Sequence, residues 1–222
     1  HQRESLYCFH WHLGIIIRWN LVKMGPRFPP NFFTFGFYLY GGAIMSRTVL
    51  ILSSSPRIGG NSDQLCDSLA SGVASVGNKA IRLHVSKMKI APCLACEHCH
   101  DKSDGECVIK DDMEQVWNAM KQADSLVLAS PIYFFDCSAQ LKVVIDRFYS
   151  RYEQMHLETG AMLLTCAADE NVAESAKIMF CKLAECMGFE NKGILCATNV
   201  WAAGEISNRT VLRDAYNLGK TL

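Results

Sequence analysis

The chain has 222 residues, half of them hydrophobic and a fifth charged, which suits one globular domain with an ordinary core and argues against a disordered or fibrous protein. Basic and acidic residues balance at 22 each, so no charge excess marks a nucleic-acid binder or a protein drawn to an anionic membrane. The 11 cysteines are odd in number and no secretory signal is evident, so a disulfide framework is not expected and a cytoplasmic protein is.

Residues 1–44 differ from the rest. They carry four Lys/Arg against one acidic residue, Glu4, and 11 of the 22 aromatics. Pro29, Pro30, Asn31, Gly36, Gly41 and Gly42 break up the uncharged stretch from Phe28 to Ser46, so it lacks the about 20 clean apolar residues of a membrane span. No cleavage-site pattern follows a charged start. The segment reads as a poorly ordered N-terminal extension, with the domain proper at 45–222, opening on Met45.

From there apolar runs alternate with helical stripes. Thr48–Leu52 predicts a first strand, followed by the loop SSSPRIGGNS and a helix capped by Ser62, with Leu65, Cys66, Leu69, Ala70 and Val73 on one face. Ala80–Val85 predicts the second strand, and a cysteine-rich loop follows. Asp111 caps a helix with the stripe Met113, Val116, Trp117 and Met120. Ser125–Ala129 predicts a third strand, the loop SPIYFFDCS comes next, and Ser138 caps a helix bearing Leu141, Val144, Ile145 and Phe148. Ala161–Cys166 and Gly193–Ala197 predict the fourth and fifth strands, with helices over Val172–Met187, ended by Gly188, and over Thr210–Leu218.

Five short apolar strands alternating with helices imply an α/β fold: a doubly wound five-stranded parallel sheet with helices on both faces. In the order 2-1-3-4-5 the strand order reverses between the first and third strands, and ligands bind beyond the carboxyl ends there. The loops following those two strands are SSSPRIGGNS and SPIYFFDCS, so both are expected at one crevice.

The first loop suits a phosphate monoester. It sits at a helix N-terminus, where unpaired N–H groups and the helix dipole favour an anion. Gly59 and Gly60 allow close backbone approach. Ser53, Ser54, Ser55, Asn61 and Ser62 supply side-chain donors, and Arg57 a forked guanidinium. Neither GxxxxGK[ST] nor GxGxxG is present. The second loop offers an apolar wall, Pro131, Ile132, Tyr133, Phe134 and Phe135, able to press on a flat heterocycle. A phosphate tail and a planar head describe flavin mononucleotide (FMN).

Read together, SSSPRIGGNS and SPIYFFDCSAQLKVVIDRFYSRY resemble the flavodoxin-like NADPH-dependent FMN reductases, and more narrowly the branch containing the iron–sulfur flavoproteins. The resemblance runs from about Ser46 to Leu222 and leaves residues 1–44 without a counterpart. It implies a flavodoxin-like fold, bound FMN, NAD(P)H as co-substrate and a homo-oligomer. By motif position, Ser55, Arg57, Gly60, Asn61 and Ser62 match the phosphate loop, and Pro131, Ile132, Tyr133 and Phe134 the loop beside the flavin ring. Many relatives carry a glycine where this chain has Phe135. Cys166 and Ala167 lie where relatives place small residues near the flavin.

Four cysteines, Cys93, Cys96, Cys99 and Cys107, fall in PCLACEHCHDKSDGEC with C-x2-C-x2-C-x7-C spacing. Thiolates this close can hold successive corners of one 4Fe–4S cubane. Zinc, redox-active thiols and structural cysteines remain open alternatives. The spacing also matches the compact cluster motif of the iron–sulfur flavoproteins. The other cysteines fall mostly in helix or strand positions and read there as small buried residues, except Cys137, which follows the flavin loop and is expected to be reactive.

No residue pattern demands a general acid or base, since in a flavoenzyme the cofactor carries the hard chemistry. Two functions follow from these readings. One is an FMN-dependent oxidoreductase passing electrons from NAD(P)H to a small acceptor such as a quinone or flavin. The other is an iron–sulfur flavoprotein carrier working between protein partners, a ferredoxin-like protein among them.

Overall fold

The computed structural model describes residues 46–207 and 209–222. The expectation for residues 1–44 therefore lies outside the described residues. Five parallel strands form the sheet: β1 (Thr48–Ser53), β2 (Lys79–His84), β3 (Ser125–Tyr133), β5 (Thr159–Thr165) and β6 (Glu190–Ala197). Their order is β2-β1-β3-β5-β6, with a two-residue β4 (Asp136–Cys137) paired antiparallel to the end of β3. Leaving β4 aside, this is the expected order, and every neighbouring pair in it is parallel.

The helices are α1 (Asn61–Ser75), α2 (His98–Asp101), α3 (Met113–Met120), α4 (Ala139–Phe148), α5 (Glu174–Met187) and α6 (Thr210–Gly219). Alternation along each strand divides the core in two. Leu50, Leu52, Leu126, Leu128, Met162 and Leu164 pack with Trp117, Leu141, Phe148 and Phe180 of α3, α4 and α5. Val49, Ile51, Val127, Ala129, Ala161 and Leu163 pack with Leu65, Leu69 and Val73 of α1 and Ala215 of α6. Side chains of opposite parity leave opposite faces of a strand, so two buried faces require the unbroken apolar runs seen in the sequence.

Two helices approach unusually closely. A Cβ on Gly72 of α1 would overlap the carbonyl oxygen of Tyr216 in α6, and one on Gly219 would overlap that of Leu69. This contact seats α6 on α1 and so places the chain that leads into α6.

Several local expectations need correction. Helix α1 begins at Asn61 with Gly60 in the cap position, so Ser62 lies inside the first turn and does not cap it. Strand β3 continues four residues beyond Ala129 before it turns back into β4. Residues 170–173 form a 3-10 turn ahead of α5. Two signals hold: Ser138 accepts from Leu141 N at the start of α4, and Gly188 ends α5 with φ +74°. The cap position of α3 falls on Asp112, one residue after the expected Asp111, whose carboxylate accepts from Met113 N. Among the described residues, no helix is long and apolar enough to cross a membrane.

Candidate functional site

The strand order reverses between β1 and β3, so the loops that leave their carboxyl ends diverge and open a crevice. Buried hydroxyls tie the two loops together. Ser138 Oγ donates to Ser54 Oγ at 2.8 Å, Ser54 Oγ donates to the Ala129 carbonyl at 3.0 Å, and Ser138 N donates to Ser130 Oγ at 2.9 Å. Ser138 is thus both the helix cap and the tether between loops. Ser138→Ala is expected to cost about 1–2 kcal/mol in urea unfolding, the loss of a cap with its partner left under-satisfied.

The crevice is lined by Ser55, Arg57, Gly60, Asn61 and Ser62 from the first loop and by Pro131, Ile132 and Tyr133 from the second. Eight of the nine residues expected at a flavin therefore meet in one place. Phe134 does not line it. Its side chain is 96% exposed at the tip of the β3–β4 turn. Phe134 and Phe135 occupy the two central positions of that turn with φ of +51° and +75°. Left-handed backbone explains why glycine suits position 135, since a bulky side chain there costs about 1–2 kcal/mol.

Hydrogen bonding redefines the first loop. Ser53 Oγ donates to Asp63, Ser55 Oγ to the Arg57 carbonyl, and Asn61 Nδ2 to the Ala202 carbonyl, while Ser62 Oγ pairs with Thr165 Oγ1. These side chains shape the loop through partners within the protein. Asp63, not singled out from the sequence, is the buried centre of this arrangement. Its carboxylate accepts from Ser53 Oγ at 3.1 Å and from Gly59 N at 2.8 Å, holding Gly59 at φ +71°. Gly60 N closes the turn onto the Arg57 carbonyl, and a Cβ there would sit 3.0 Å from that oxygen. No side chain caps α1. Its first-turn amides, which a helix leaves unsatisfied, are the groups this loop offers an anion, together with the Arg57 guanidinium. This donor set fits a phosphate monoester.

The sequence reading missed part of the crevice. Thr165 at the end of β5, together with Val200, Trp201 and Ala203 after β6, completes its lining beside Cys166 and Ala167. Trp201 is 73% exposed at the rim, and its carbonyl accepts from Arg57 Nη1 at 3.1 Å. Asn61 Oδ1 accepts from Gly204 N, and Arg209 donates to the Thr198 and Asn199 carbonyls, which pins this segment over the first loop. No local signal in the sequence announces that contact.

Cys137 is not the reactive thiol expected. It is 6% exposed, and burial together with the Asp136 carboxylate pushes its thiol up to about 12. Burial also raises Cys196 to about 12, helped by Cys166, whose sulfur lies 3.7 Å away.

The cysteine loop forms a second pocket. Cys93, Cys96, Cys99 and Cys107 line it together with Leu94, Val108, Arg147 and Tyr149. Among the described residues, no three His, Cys, Asp or Glu side chains converge tightly enough to hold a single metal ion. Helix α4, about 15 Å long at 1.5 Å per residue, joins the two sites. Ser138 caps it at the crevice, and Arg147 in its last turn lines the cysteine pocket. Arg147 Nη1 donates to Asp111 Oδ2 at 2.8 Å in a largely buried ion pair. Burial would raise the Asp111 carboxyl, but bonds from Arg147 and from the amides of Ala91 and Met113 outweigh it and hold the group below its ordinary 3.8. A depressed pKa adds stability above the unfolded value and loses it as pH falls through the folded one. Hydrogen exchange is expected to show residues 91–111 clamped at pH 5 and loosening only below the ordinary 3.8. Loosening that sets in well above 3.8 would exclude Asp111 as the group that holds the segment.

Comparison with known proteins bears on both pockets. A family model described as NADPH-dependent FMN reductase matches residues 47–189. An iron–sulfur flavoprotein of Methanocaldococcus jannaschii is 36% identical over 99 residues, 45% of this chain and 50% of that protein. One from Methanosarcina thermophila is 34% identical over 96 residues, 43% of this chain and 49% of its own. The chain thus spans about half the length of the curated relatives it matches. Among solved structures, an NAD(P)H:quinone oxidoreductase from Methanothermobacter marburgensis superposes with a TM-score of 0.65 at 21% identity, covering 79% of this chain and 96% of the other. At that identity the likeness shows the fold.

Proposed function

The chain belongs to the NADPH-dependent FMN reductase family, and from that premise we propose that it is an FMN-dependent oxidoreductase passing electrons from NAD(P)H to a small acceptor such as a quinone or a flavin. The convergence of the two loops on one crevice carries this reading. The uncapped start of α1 and Arg57 hold the phosphate. Pro131, Ile132 and Tyr133 form the wall against the ring, and Trp201 shields the open side. Bound FMN supplies the hydride and electron chemistry. The protein's part is to orient the ring, keep its reacting face dry and leave room for a second planar molecule. No side chain in the crevice is assigned a proton-transfer role.

Cys93, Cys96, Cys99 and Cys107 would hold a 4Fe–4S cluster. A cubane binds each thiolate at a different iron, so it accepts four sulfurs spread around one pocket. The four-cysteine spacing and the shared pocket support the cluster, and a single zinc ion on the same four thiolates is the alternative that iron analysis separates from it. That pocket favours a second reading, an electron carrier that takes electrons from or gives them to a ferredoxin-like protein. An absorption spectrum of anaerobically purified protein, before and after dithionite, reports flavin and cluster together. Steady-state NADPH oxidation with a quinone then separates the two functions. Turnover supports the reductase. No turnover, with rapid reduction by ferredoxin, selects the carrier. Colourless protein that fails to quench FMN fluorescence overturns both.

A further inference from the structure

Arg147 is the most deeply buried cation among the described residues, 2% exposed, and the oxidoreductase reading assigns it nothing. Its guanidinium reaches both ends of the cysteine segment. Nη1 donates to the Ala91 carbonyl at 2.8 Å, just before Cys93. Nη2 donates to the Ile109 carbonyl at 3.3 Å, just after Cys107. Both nitrogens also reach the Asp111 carboxylate. The segment from 91 to 111 is therefore closed by one side chain from α4. Other links add to this closure: Arg151 Nε donates to the Gly105 carbonyl and Tyr149 Oη to Glu97. Arg147 Nε, however, is buried and has no hydrogen-bond partner among the described residues. A buried charged N–H left unpaired is costly, so such groups call for an explanation. Arg147 also forms part of the wall of the four-cysteine pocket.

We propose that Arg147 is a positioning residue for the cysteine pocket: it clasps the loop at both ends and presents a positive charge to the iron–sulfur group held there, raising that group's affinity for an electron. This rests on the cluster reading above. The physical basis is charge. A cluster ligated by four thiolates gains negative charge when reduced, and a fixed cation in a dry wall stabilises the reduced form more than the oxidised one. Asp111 works in the opposite sense, partly neutralising the cation while bracing it.

Opposite signs make the test sharp. In anaerobically purified, iron-loaded protein, the cluster's midpoint potential is measured by spectroelectrochemistry for wild type, Arg147→Gln and Asp111→Asn, with the flavin potential recorded in the same samples. Arg147→Gln should lower the cluster potential, and Asp111→Asn, whose arginine is still held by two carbonyls, should raise it. The flavin potential should stay within error, because the crevice lies at the far end of α4. Cluster potentials that move the same way in both variants, or do not move, overturn the charge role, since general loosening of the fold is blind to sign. Hydrogen exchange on the same proteins tests the clasp without reference to iron. Residues 91–111 of Arg147→Gln should exchange roughly a hundredfold faster or more, as expected for a broken buried ion pair, while Arg147→Lys recovers part of the protection. Unchanged exchange overturns the clasp. If wild type takes up no iron, the cluster reading fails and the charge role fails with it, while the exchange rates still decide whether Arg147 closes the loop.

Discussion

Arg57→Ala is expected to weaken FMN binding roughly ten- to a hundredfold while leaving riboflavin affinity unchanged, the size of one charge-assisted hydrogen bond. The expectation follows from how the first loop is wired. Five polar side chains in the first loop and at the start of α1 are already bonded within the protein, to Asp63, Ala129, Arg57, Ala202 and Thr165. What remains for a phosphate is backbone N–H at the start of α1 and the guanidinium of Arg57, whose one partner among the described residues is the exposed Trp201 carbonyl. Riboflavin lacks the phosphate and cannot report that contact, so fluorescence titrations of the two ligands isolate it. Equal loss for both would mean that Arg57 supports the loop or Trp201 and does not touch the phosphate. Loss for neither would remove the phosphate from this end of the crevice.

Gly72→Ala is expected to destabilise the domain by about 3 kcal/mol or more, the upper end of overpacking costs. The added methyl would overlap the Tyr216 carbonyl oxygen, a backbone atom inside α6 that cannot swing aside. The two helices would have to separate along a contact that Gly219 keeps equally tight from the other side. For a domain of this size the melting temperature should fall by roughly 10 °C. Gly188→Ala is the matched control. Its φ is +74° but nothing stands within 4 Å of a Cβ, so the backbone penalty alone applies, about 1 kcal/mol. Similar losses at the two positions would mean that α6 is loosely seated. Because α6 follows the segment carrying Trp201, a real displacement should also weaken FMN binding.

Much of the architecture could be read directly. Runs such as TVLIL and SLVLA are apolar at every position because both faces of the sheet are covered, and the turn residues between runs marked the helix starts within a few positions. The order of strands then put the two unusual loops at one place. Boundaries were less legible where chain-distant partners intervene. Ser62 has the chemistry of a cap, yet its hydroxyl pairs with Thr165, 103 residues away. Strand β3 outlasts its apolar run because β5 continues to pair with it as far as Pro131. Cys137 looked available beside an exposed loop, but burial decides its reactivity.

Order along the polypeptide therefore determined the layers, the crossovers and the meeting of the two loops at one crevice, because periodicity and turn chemistry are local properties. Which donors stay free was decided only when distant segments came together. A hydroxyl or guanidinium serves a ligand or serves the fold according to what stands within about 3 Å of it, and that neighbour is almost never adjacent in sequence. Trp201, Asp63 and Arg147 took on their places at the two pockets through partners that no stretch of residues could name in advance.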